Sequence, residues 1–126
     1  MVVTKLANLA IKVADLDAAC RWYRDAGAVV SDPVDWQGAR RADVELGPLQ
    51  ITLFTRAIYE DALAVPDEGF LHAALFVDDL DSELARHDVC WGPEVVSGSF
   101  GTRRIAFVDA PGGIRIELME QLAAPE

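Results

Sequence analysis

Two side chains, His72 and Glu117, have the types and the setting to carry out chemistry. Each lies within a strand-like segment, residues 70–77 and 113–120, on the face opposite to the most apolar residues of that segment. An imidazole next to a carboxylate can transfer protons, hold a divalent ion loosely or hydrogen-bond a ligand. A histidine that a glutamate fixes for structural reasons only is the other interpretation. We treat His72 and Glu117 as the candidate catalytic residues.

The same parity argument selects side chains that could line a ligand pocket. In residues 6–13 the apolar set includes Ile11 and Val13, so Asn8 and Lys12 point to the other face. Faces of this kind, which mix polar groups with a few apolar ones, are typical of small-molecule pockets. The candidate ligand-binding residues are Asn8, Lys12, Gln50, Thr52, Phe54, Phe76, Arg115 and Met119 from the strand pattern, together with Trp36, Trp91 and Phe100 as rings that could stack on a flat ligand.

Lys12 and Arg115 carry positive charge on this predicted polar face. They could bind an anionic group of a ligand, such as a carboxylate or a phosphate. They could equally be surface charges whose alkyl stems pack at the edge of a sheet. The sequence leaves both interpretations open.

The composition limits the class of protein. The chain has 126 residues, with 11 Lys plus Arg against 21 Asp plus Glu, for a formal net charge of −10. This length predicts a single domain over residues 1–126, and the acidity argues against nucleic-acid binding, which requires clustered positive charge. No apolar run is long enough for a membrane span, and the segment MVVTKLANLA lacks the pattern of a secretory signal. We therefore expect a cytoplasmic protein whose partner is a small molecule.

An internal repeat organises the chain. Residues 6–17 (LANLAIKVADLD) align with residues 70–81 (FLHAALFVDDLD). Residues 47–54 (GPLQITLF) align with residues 112–119 (GGIRIELM), in the same order and at nearly the same spacing. Two matches in register indicate two copies of one supersecondary unit.

Each copy has the predicted order βαβββ. The first module, residues 5–55, contains a strand at 6–13, a helix from a cap at Asp15 to about Ala26, and strands at 28–35, 39–46 and 49–55. Residues 56–69 form a predicted connector. The second module, residues 70–121, contains a strand at 70–77, a helix at about 80–87 that Asp78 or Asp79 caps, and strands at 89–97, 102–108 and 113–120. Residues 122–126 form a tail that we expect to fray.

This pattern resembles the vicinal oxygen chelate superfamily, which includes glyoxalase I, bleomycin-resistance proteins, extradiol dioxygenases and methylmalonyl-CoA epimerase. The segments that carry the resemblance are LANLAIKVADLDAACRWYRDAG at 6–27, LHAALFVDDLD at 71–81 and FVDAPGGIRIELME at 107–120. The resemblance implies an α+β fold in which two tandem βαβββ modules form a curled mixed sheet around a cleft. It also implies a homodimer, the common assembly in this superfamily.

The resemblance further implies four positions for metal ligands. Metal-dependent members take one ligand from the first strand and one from the fourth strand of each module, which correspond here to Asn8, Thr52, His72 and Glu117. An amide oxygen and a hydroxyl are weak ligands for divalent transition ions, which prefer imidazole and carboxylate. We therefore expect no metal ligand set and no cofactor, with a weakly held divalent ion on His72 and Glu117 as the alternative.

Two functions are compatible with these features. The first is a small-molecule binding protein that resembles the drug-sequestering resistance type, and its acidity would suit a cationic or polar natural product. The second is a lyase or isomerase of the glyoxalase or epimerase type. It would use His72 and Glu117 with a weak divalent metal or as a metal-free acid–base pair next to a carbonyl.

Overall fold

The computed structural model describes residues 3–125 and has an α+β fold. The described residues divide into two compact units. We call residues Asn8–Leu71 the N-terminal unit, and residues 72–125 together with residues 3–7 the C-terminal unit. The elements in chain order are β1 (Val3–Lys12), α1 (Leu16–Asp25), β2 (Val29–Val30), β3 (Val34–Trp36), β4 (Ala39–Leu46), β5 (Leu49–Phe54), β6 (Gly69–Val77), α2 (Leu80–Leu84), β7 (Val89–Gly98), β8 (Gly101–Ala110) and β9 (Ile114–Ala123).

The N-terminal unit is a mixed sheet with the strand order β2-β4-β5-β1, and β3 pairs with β4. Strands β1 and β5 run parallel, whereas the pairings of β4 with β2, β3 and β5 are antiparallel. One face of the sheet packs on α1 through a cluster that contains Leu16, Cys20, Val44 and Leu53. The alternation of apolar residues predicted this inner face, and the prediction is confirmed.

Helix α1 begins and ends where the sequence predicts. The Asp15 carboxylate accepts a hydrogen bond from the Ala18 amide at 3.0 Å, which satisfies one of the otherwise unpaired N–H groups of the first turn. Ala26 is the C-cap, and Gly27 follows it with φ +94°, a left-handed conformation that a side chain would make unfavourable.

The C-terminal unit has the strand order β6-β9-β8-β7, with β6 and β9 parallel and the other pairs antiparallel. Its core lies between α2 and one sheet face and includes Val77, Leu80, Val108 and Leu118. The side chains of opposite parity on β6, β8 and β9 therefore share the other face, which carries the candidate catalytic residues.

Several predicted elements differ from the structure in their bounds, and three of these differences have a clear local cause. The strand predicted at 28–35 is divided into β2 and β3, because Pro33 lies between them and lacks the N–H of a strand residue. The helix predicted at 80–87 ends at Leu84, since Arg86, His87 and Asp88 are exposed and offer no apolar side chain to bury. Strand β9 runs past the predicted end at 120, because Thr102 pairs with Ala123 and extends the ladder.

The predicted tail is thus part strand, and its last residue, Glu126, lies outside the described residues. Neither helix of the described chain has the length and apolar character needed to cross a lipid bilayer.

Candidate functional site

His72 and Glu117 form a buried pair in the C-terminal unit. They project from the parallel neighbours β6 and β9, in which Ala74 is aligned with Glu117. The His72 Nε2 atom lies 3.2 Å from Glu117 Oε1. The two residues are only 5% and 8% exposed. Little water therefore separates or screens the imidazole and the carboxylate.

Two aromatic rings extend this pair across the sheet. Phe107 on β8 is aligned with Glu117, and its ring meets the His72 ring edge-on with centroids 4.9 Å apart. Trp91 on β7 is aligned with Phe107, and these ring centroids are 5.7 Å apart. Phe107 is fully buried, so its ring fixes one side of the imidazole by packing.

A second group occupies the same face of the C-terminal unit further along the strands. The Phe76 and Phe100 rings meet edge-on at 6.2 Å, and the Arg103 guanidinium lies 5.5 Å from the Phe100 centroid. Arg103 also donates a hydrogen bond to the sulfur of buried Met119 at 3.3 Å. Phe76 and Phe100 line a cavity of about 420 Å³ that Lys5 also borders. Phe76, Phe100 and Met119, all predicted to bind a ligand, are thus brought together.

Arg115 lies on β9 near the β8–β9 turn. Its Nε atom is 3.5 Å from Asp109 Oδ1, and the two residues are aligned across the antiparallel ladder. The guanidinium is therefore engaged with a carboxylate of its own unit. Its predicted role in binding an anionic ligand stays a prediction.

The N-terminal unit carries a chain of side-chain hydrogen bonds. The Asn8 amide nitrogen donates to Thr52 Oγ1, and Thr52 Oγ1 donates to Asp43 Oδ1 at 3.0 Å. Arg41 Nη2 donates to the same Asp43 oxygen at 2.9 Å. Asn8, Thr52 and Arg41 are buried, so these polar groups are satisfied by one another.

Arg41 also packs against two aromatic rings. Its guanidinium carbon lies 5.3 Å from the Trp36 centroid and 5.4 Å from the Phe54 centroid. The two rings are themselves in contact, with centroids 5.5 Å apart. We call Trp36, Phe54 and Asp43 the cage, because together they surround the Arg41 cation with two ring faces and a carboxylate.

Lys12 and Gln50 have different surroundings from the cage. Lys12 Nζ lies 2.5 Å from Glu60 Oε2, and Glu60 Oε1 accepts from the Ala57 amide. Burial alone would raise the pKa of the Glu60 carboxyl, but the hydrogen bonds from Lys12 and Ala57 outweigh it and hold the pKa below its usual value. Gln50 is exposed at the start of β5, opposite Glu45.

Solved structures similar to this chain come from one structural superfamily. No protein-family model matches the chain, and no curated protein matches it significantly. A methylmalonyl-CoA epimerase from Mycobacterium tuberculosis is 29% identical, covers 97% of this chain and 91% of its own, and has a TM-score of 0.72. A methylmalonyl-CoA epimerase in complex with methylmalonyl-CoA and NH4+ is 28% identical with a TM-score of 0.71, and the match covers 98% of this chain and 99% of that one.

A third structure agrees at the level of the fold. A glyoxalase/bleomycin resistance protein/dioxygenase superfamily member from Vibrio splendidus 12B01 is 14% identical, with a TM-score of 0.65 over 94% of this chain and 100% of that one. The chain shares the vicinal oxygen chelate fold with these structures. The predicted glyoxalase-like α+β fold is thereby confirmed.

The donor set does not fit the tightly held divalent metal that the superfamily implies. Asn8 and Thr52 stand at two of the four ligand positions, and their polar atoms are hydrogen-bonded to each other. At the other two positions, His72 and Glu117 supply two strong donors, one fewer than the three protein ligands of a usual catalytic zinc site. Within residues 3–125, no three His, Cys, Asp or Glu side chains are grouped as a metal site requires.

Several residues at these clusters were not predicted. The neighbouring arginines at 40–41 and 103–104 left open which member of each pair faces inward. Arg41 and Arg103 are the buried members. Strand parity could have identified these members. Ala42 and Ala106 face the cores, so the odd-numbered Arg41 and Arg103 lie on the opposite face of their strands. Nothing in the sequence pattern predicted the pairing of Lys12 with Glu60, since Glu60 lies in the irregular connector.

Proposed function

We propose that this chain is an isomerase of the vicinal oxygen chelate superfamily that moves a proton at a carbon next to a carbonyl. Its substrates would be acyl thioesters or hemithioacetals of 2-oxoaldehydes. In both classes the adjacent carbonyl makes the C–H bond more acidic. His72 and Glu117 would be the acid–base couple. This is the metal-free form of the epimerase or glyoxalase interpretation.

The contact between His72 and Glu117 carries the proposal. His72 Nε2 lies 3.2 Å from the Glu117 carboxylate, so the carboxylate holds the orientation of the imidazole ring. The carboxylate also stabilises the imidazolium that forms when the ring accepts a proton. Burial strengthens this attraction relative to an exposed pair.

The proposed step is balanced in protons and electrons. The His72 imidazole takes the proton from the carbon next to the carbonyl; the C–H electron pair forms a C=C bond to the carbonyl carbon, and the carbonyl π pair moves onto oxygen to give an enolate. The imidazolium then returns a proton to the enolate, either to the same carbon or to its neighbour. Return to the same carbon exchanges the proton with solvent, and it inverts that carbon when the proton reaches the opposite face of the enolate. In a hemithioacetal, return to the neighbouring carbon isomerises the substrate, while the hydroxyl proton passes through solvent to the former carbonyl oxygen.

The comparisons support this substrate class. The two epimerases described above are methylmalonyl-CoA epimerases, and one of them is in complex with methylmalonyl-CoA. Both align with nearly the whole of this chain, so the shared architecture includes the strands that hold His72 and Glu117. An acyl thioester is therefore the first probe to use.

Proton exchange with solvent tests the proposal. Methylmalonyl-CoA, and separately the hemithioacetal of a 2-oxoaldehyde and a thiol, are incubated with the protein in D2O, and proton NMR follows loss of the signal from the carbon-bound proton. We expect protein-dependent exchange of at least one probe. Both His72→Ala and Glu117→Gln should slow it by about 100-fold or more, the usual contribution of a positioned acid or base.

His87→Ala is a matched control for His72→Ala, because it removes the other histidine of the chain, which lies next to Glu83 and outside the couple. It should retain most of the exchange rate. Circular dichroism shows whether each variant is folded. Absence of exchange with both probes would overturn the proposal, and so would full exchange in a folded His72→Ala variant.

A small-molecule binding protein without turnover is the second candidate. It is favoured by the Asn8–Thr52 hydrogen bond, which places neutral, mutually satisfied groups where metal-dependent enzymes have strong ligands. Equilibrium dialysis of the same probes separates the candidates. Binding without exchange would support sequestration of a ligand, for which the net charge of −10 suits a cationic natural product.

We also expect a homodimer in the cytoplasm, as the resemblance and the sequence predict. Light scattering coupled to size-exclusion chromatography measures the mass in solution. A mass of twice 13.7 kDa would support the dimer, and a mass of 13.7 kDa would contradict it.

A further inference from the structure

We infer that the cage of Trp36, Phe54 and Asp43 is a binding site for a guanidinium-bearing organic cation, and that Arg41 of the chain itself fills it in this structure. The site belongs to the N-terminal unit, whereas the proposed acid–base couple belongs to the C-terminal unit. A ligand would enter when the Arg41 side chain swings out.

The cage has the chemistry of a cation site. A guanidinium is attracted to the faces of aromatic rings and to a carboxylate, most strongly where water is excluded. Arg41 has all three partners, with its guanidinium carbon 5.3 and 5.4 Å from the two ring centroids and Nη2 at 2.9 Å from Asp43. Its side chain is only 5% exposed, so the contacts are largely desolvated.

The carboxylate is held in place by groups other than Arg41. Asp43 Oδ1 accepts from Thr52, and Thr52 is fixed in turn by the Asn8 amide. The Asp43 backbone N–H donates to Ser31 Oγ at 2.8 Å. The cage therefore keeps its carboxylate oriented when Arg41 leaves, which lowers the cost of binding another cation.

Access to the cage is available from solvent. The Asp43 side chain is 38% exposed although that of Arg41 is 5% exposed, so an incoming cation reaches the carboxylate before Arg41 has left. Trp36 belongs to the three-residue strand β3, and the turn after it contains Gln37 and Gly38 with positive φ. An open cavity of about 530 Å³ lies beside Trp36 and Thr55. A short edge strand next to open space can move at little cost.

The charge of the chain favours the same ligand class. A net charge of −10 raises the local concentration of organic cations and lowers that of anions. Arg41 is therefore an internal competitor that occupies the cage in the free protein. The affinity for an external guanidinium depends on the difference between its interaction with the cage and that of Arg41.

Titration with N-ethylguanidinium tests the inference, with N-ethylurea as the neutral analogue of the same shape. NMR follows the Trp36 indole N–H and the Arg41 Nε–H in the unmodified protein, and calorimetry gives the affinity. We expect N-ethylguanidinium to shift both signals and N-ethylurea to shift neither. Arg41→Ala should bind N-ethylguanidinium about tenfold more tightly than the parent, because the internal competitor is gone.

Two variants control the result. Arg40→Ala removes the neighbouring arginine, whose partner is Asp17 on α1, and should leave the affinity unchanged. Asp43→Asn should abolish binding. The inference is overturned if the unmodified protein and Arg41→Ala bind equally, if N-ethylurea binds as well as the cation, or if binding leaves the Arg41 signal in place. If Arg41→Ala does not fold, the signals of the unmodified protein decide alone.

Discussion

Asn8 and Thr52 hydrogen-bond to each other, with the Asn8 amide nitrogen 2.5 Å from Thr52 Oγ1. The Thr52 hydroxyl in turn donates a hydrogen bond to the Asp43 carboxylate, which also accepts one from Arg41. The amide and the hydroxyl that stand at two ligand positions of the superfamily are thus links in a protein network. In a buried network of this kind, removal of one link leaves its neighbours with unmet hydrogen-bonding needs.

Thr52→Val tests the worth of that network, because it removes the hydroxyl and nearly preserves the shape of the side chain. The Asn8 amide and the Asp43 carboxylate each lose a partner, so the free energy of unfolding should fall by about 1–3 kcal/mol in urea titrations. Thr55→Val is the control, since the Thr55 hydroxyl is half-buried and its hydrogen bonds, from the Arg40 amide and to the Arg40 carbonyl, are not part of the network. An equal loss in both variants would show that the network adds nothing.

Divalent metals should not stabilise this protein. A ligand at 100 times its dissociation constant adds about 2.7 kcal/mol to folding, which raises the melting temperature by several degrees. We expect Ni²⁺, Mn²⁺ and Zn²⁺ to leave the melting temperature of chelator-treated protein unchanged to about 1 °C. A rise of several degrees that His72→Ala abolishes would show that His72 and Glu117 bind the ion after all.

Phe107 should act as a positioning residue for His72. Phe107→Leu removes the ring edge that packs on the imidazole and opens space in a buried site, so we expect about 1–3 kcal/mol lower stability. The proton-exchange rate should fall with little change in probe affinity, because the base is misplaced and the ligand contacts remain. Trp91→Phe keeps an aromatic contact to Phe107 and is the control. Unchanged exchange in a folded Phe107→Leu variant would refute this role.

The Lys12–Glu60 pair predicts a change of stability in acid. Burial raises the pKa of the Glu60 carboxyl, but the hydrogen bonds from Lys12 and Ala57 lower it by more, so the pKa lies below the ordinary value of 4.5. The unfolded state therefore binds more protons than the folded state as the pH falls. The stabilisation is full above the unfolded-state pKa and is lost as the pH falls through the folded-state pKa.

Glu60→Gln should consequently be less stable than the parent at neutral pH, and the difference should vanish in acid. Urea unfolding at a series of pH values measures this gap. Asp61→Asn breaks an exposed ion pair with Arg56 and should change the stability by less than about 1 kcal/mol. A gap between Glu60→Gln and the parent that stays constant with pH would be inconsistent with the assigned role of the ion pair.

The sequence predicts those features that depend on periodicity. Alternation on β1 and β5 placed Ile11 and Leu53 against α1, and the same rule on β6 and β9 brought His72 and Glu117 to one face. The Asp15 cap and the Gly27 stop followed from local chemistry. These features need only the side-chain period and the rules of helix ends.

Other features depend on packing that a single sequence does not encode locally. Strand parity selects Arg41 over Arg40 only once Ala42 and Val44 are known to be the inner positions of β4, and that depends on how the strand packs on α1. The partner of Lys12 comes from an irregular connector without any period. The predicted strand at 28–35 is divided at Pro33. The position of the break depends on how β2 and β3 each pair with β4, which the sequence alone does not reveal.

The central claim is that His72 and Glu117 move a carbon-bound proton without a metal. The most direct measurement is the rate of deuterium incorporation into methylmalonyl-CoA or the hemithioacetal, catalysed by protein from which a chelator has removed divalent ions. We predict that chelation leaves the rate unchanged and that Glu117→Gln nearly abolishes it. A rate that falls with chelation and returns on addition of a divalent metal would contradict the account.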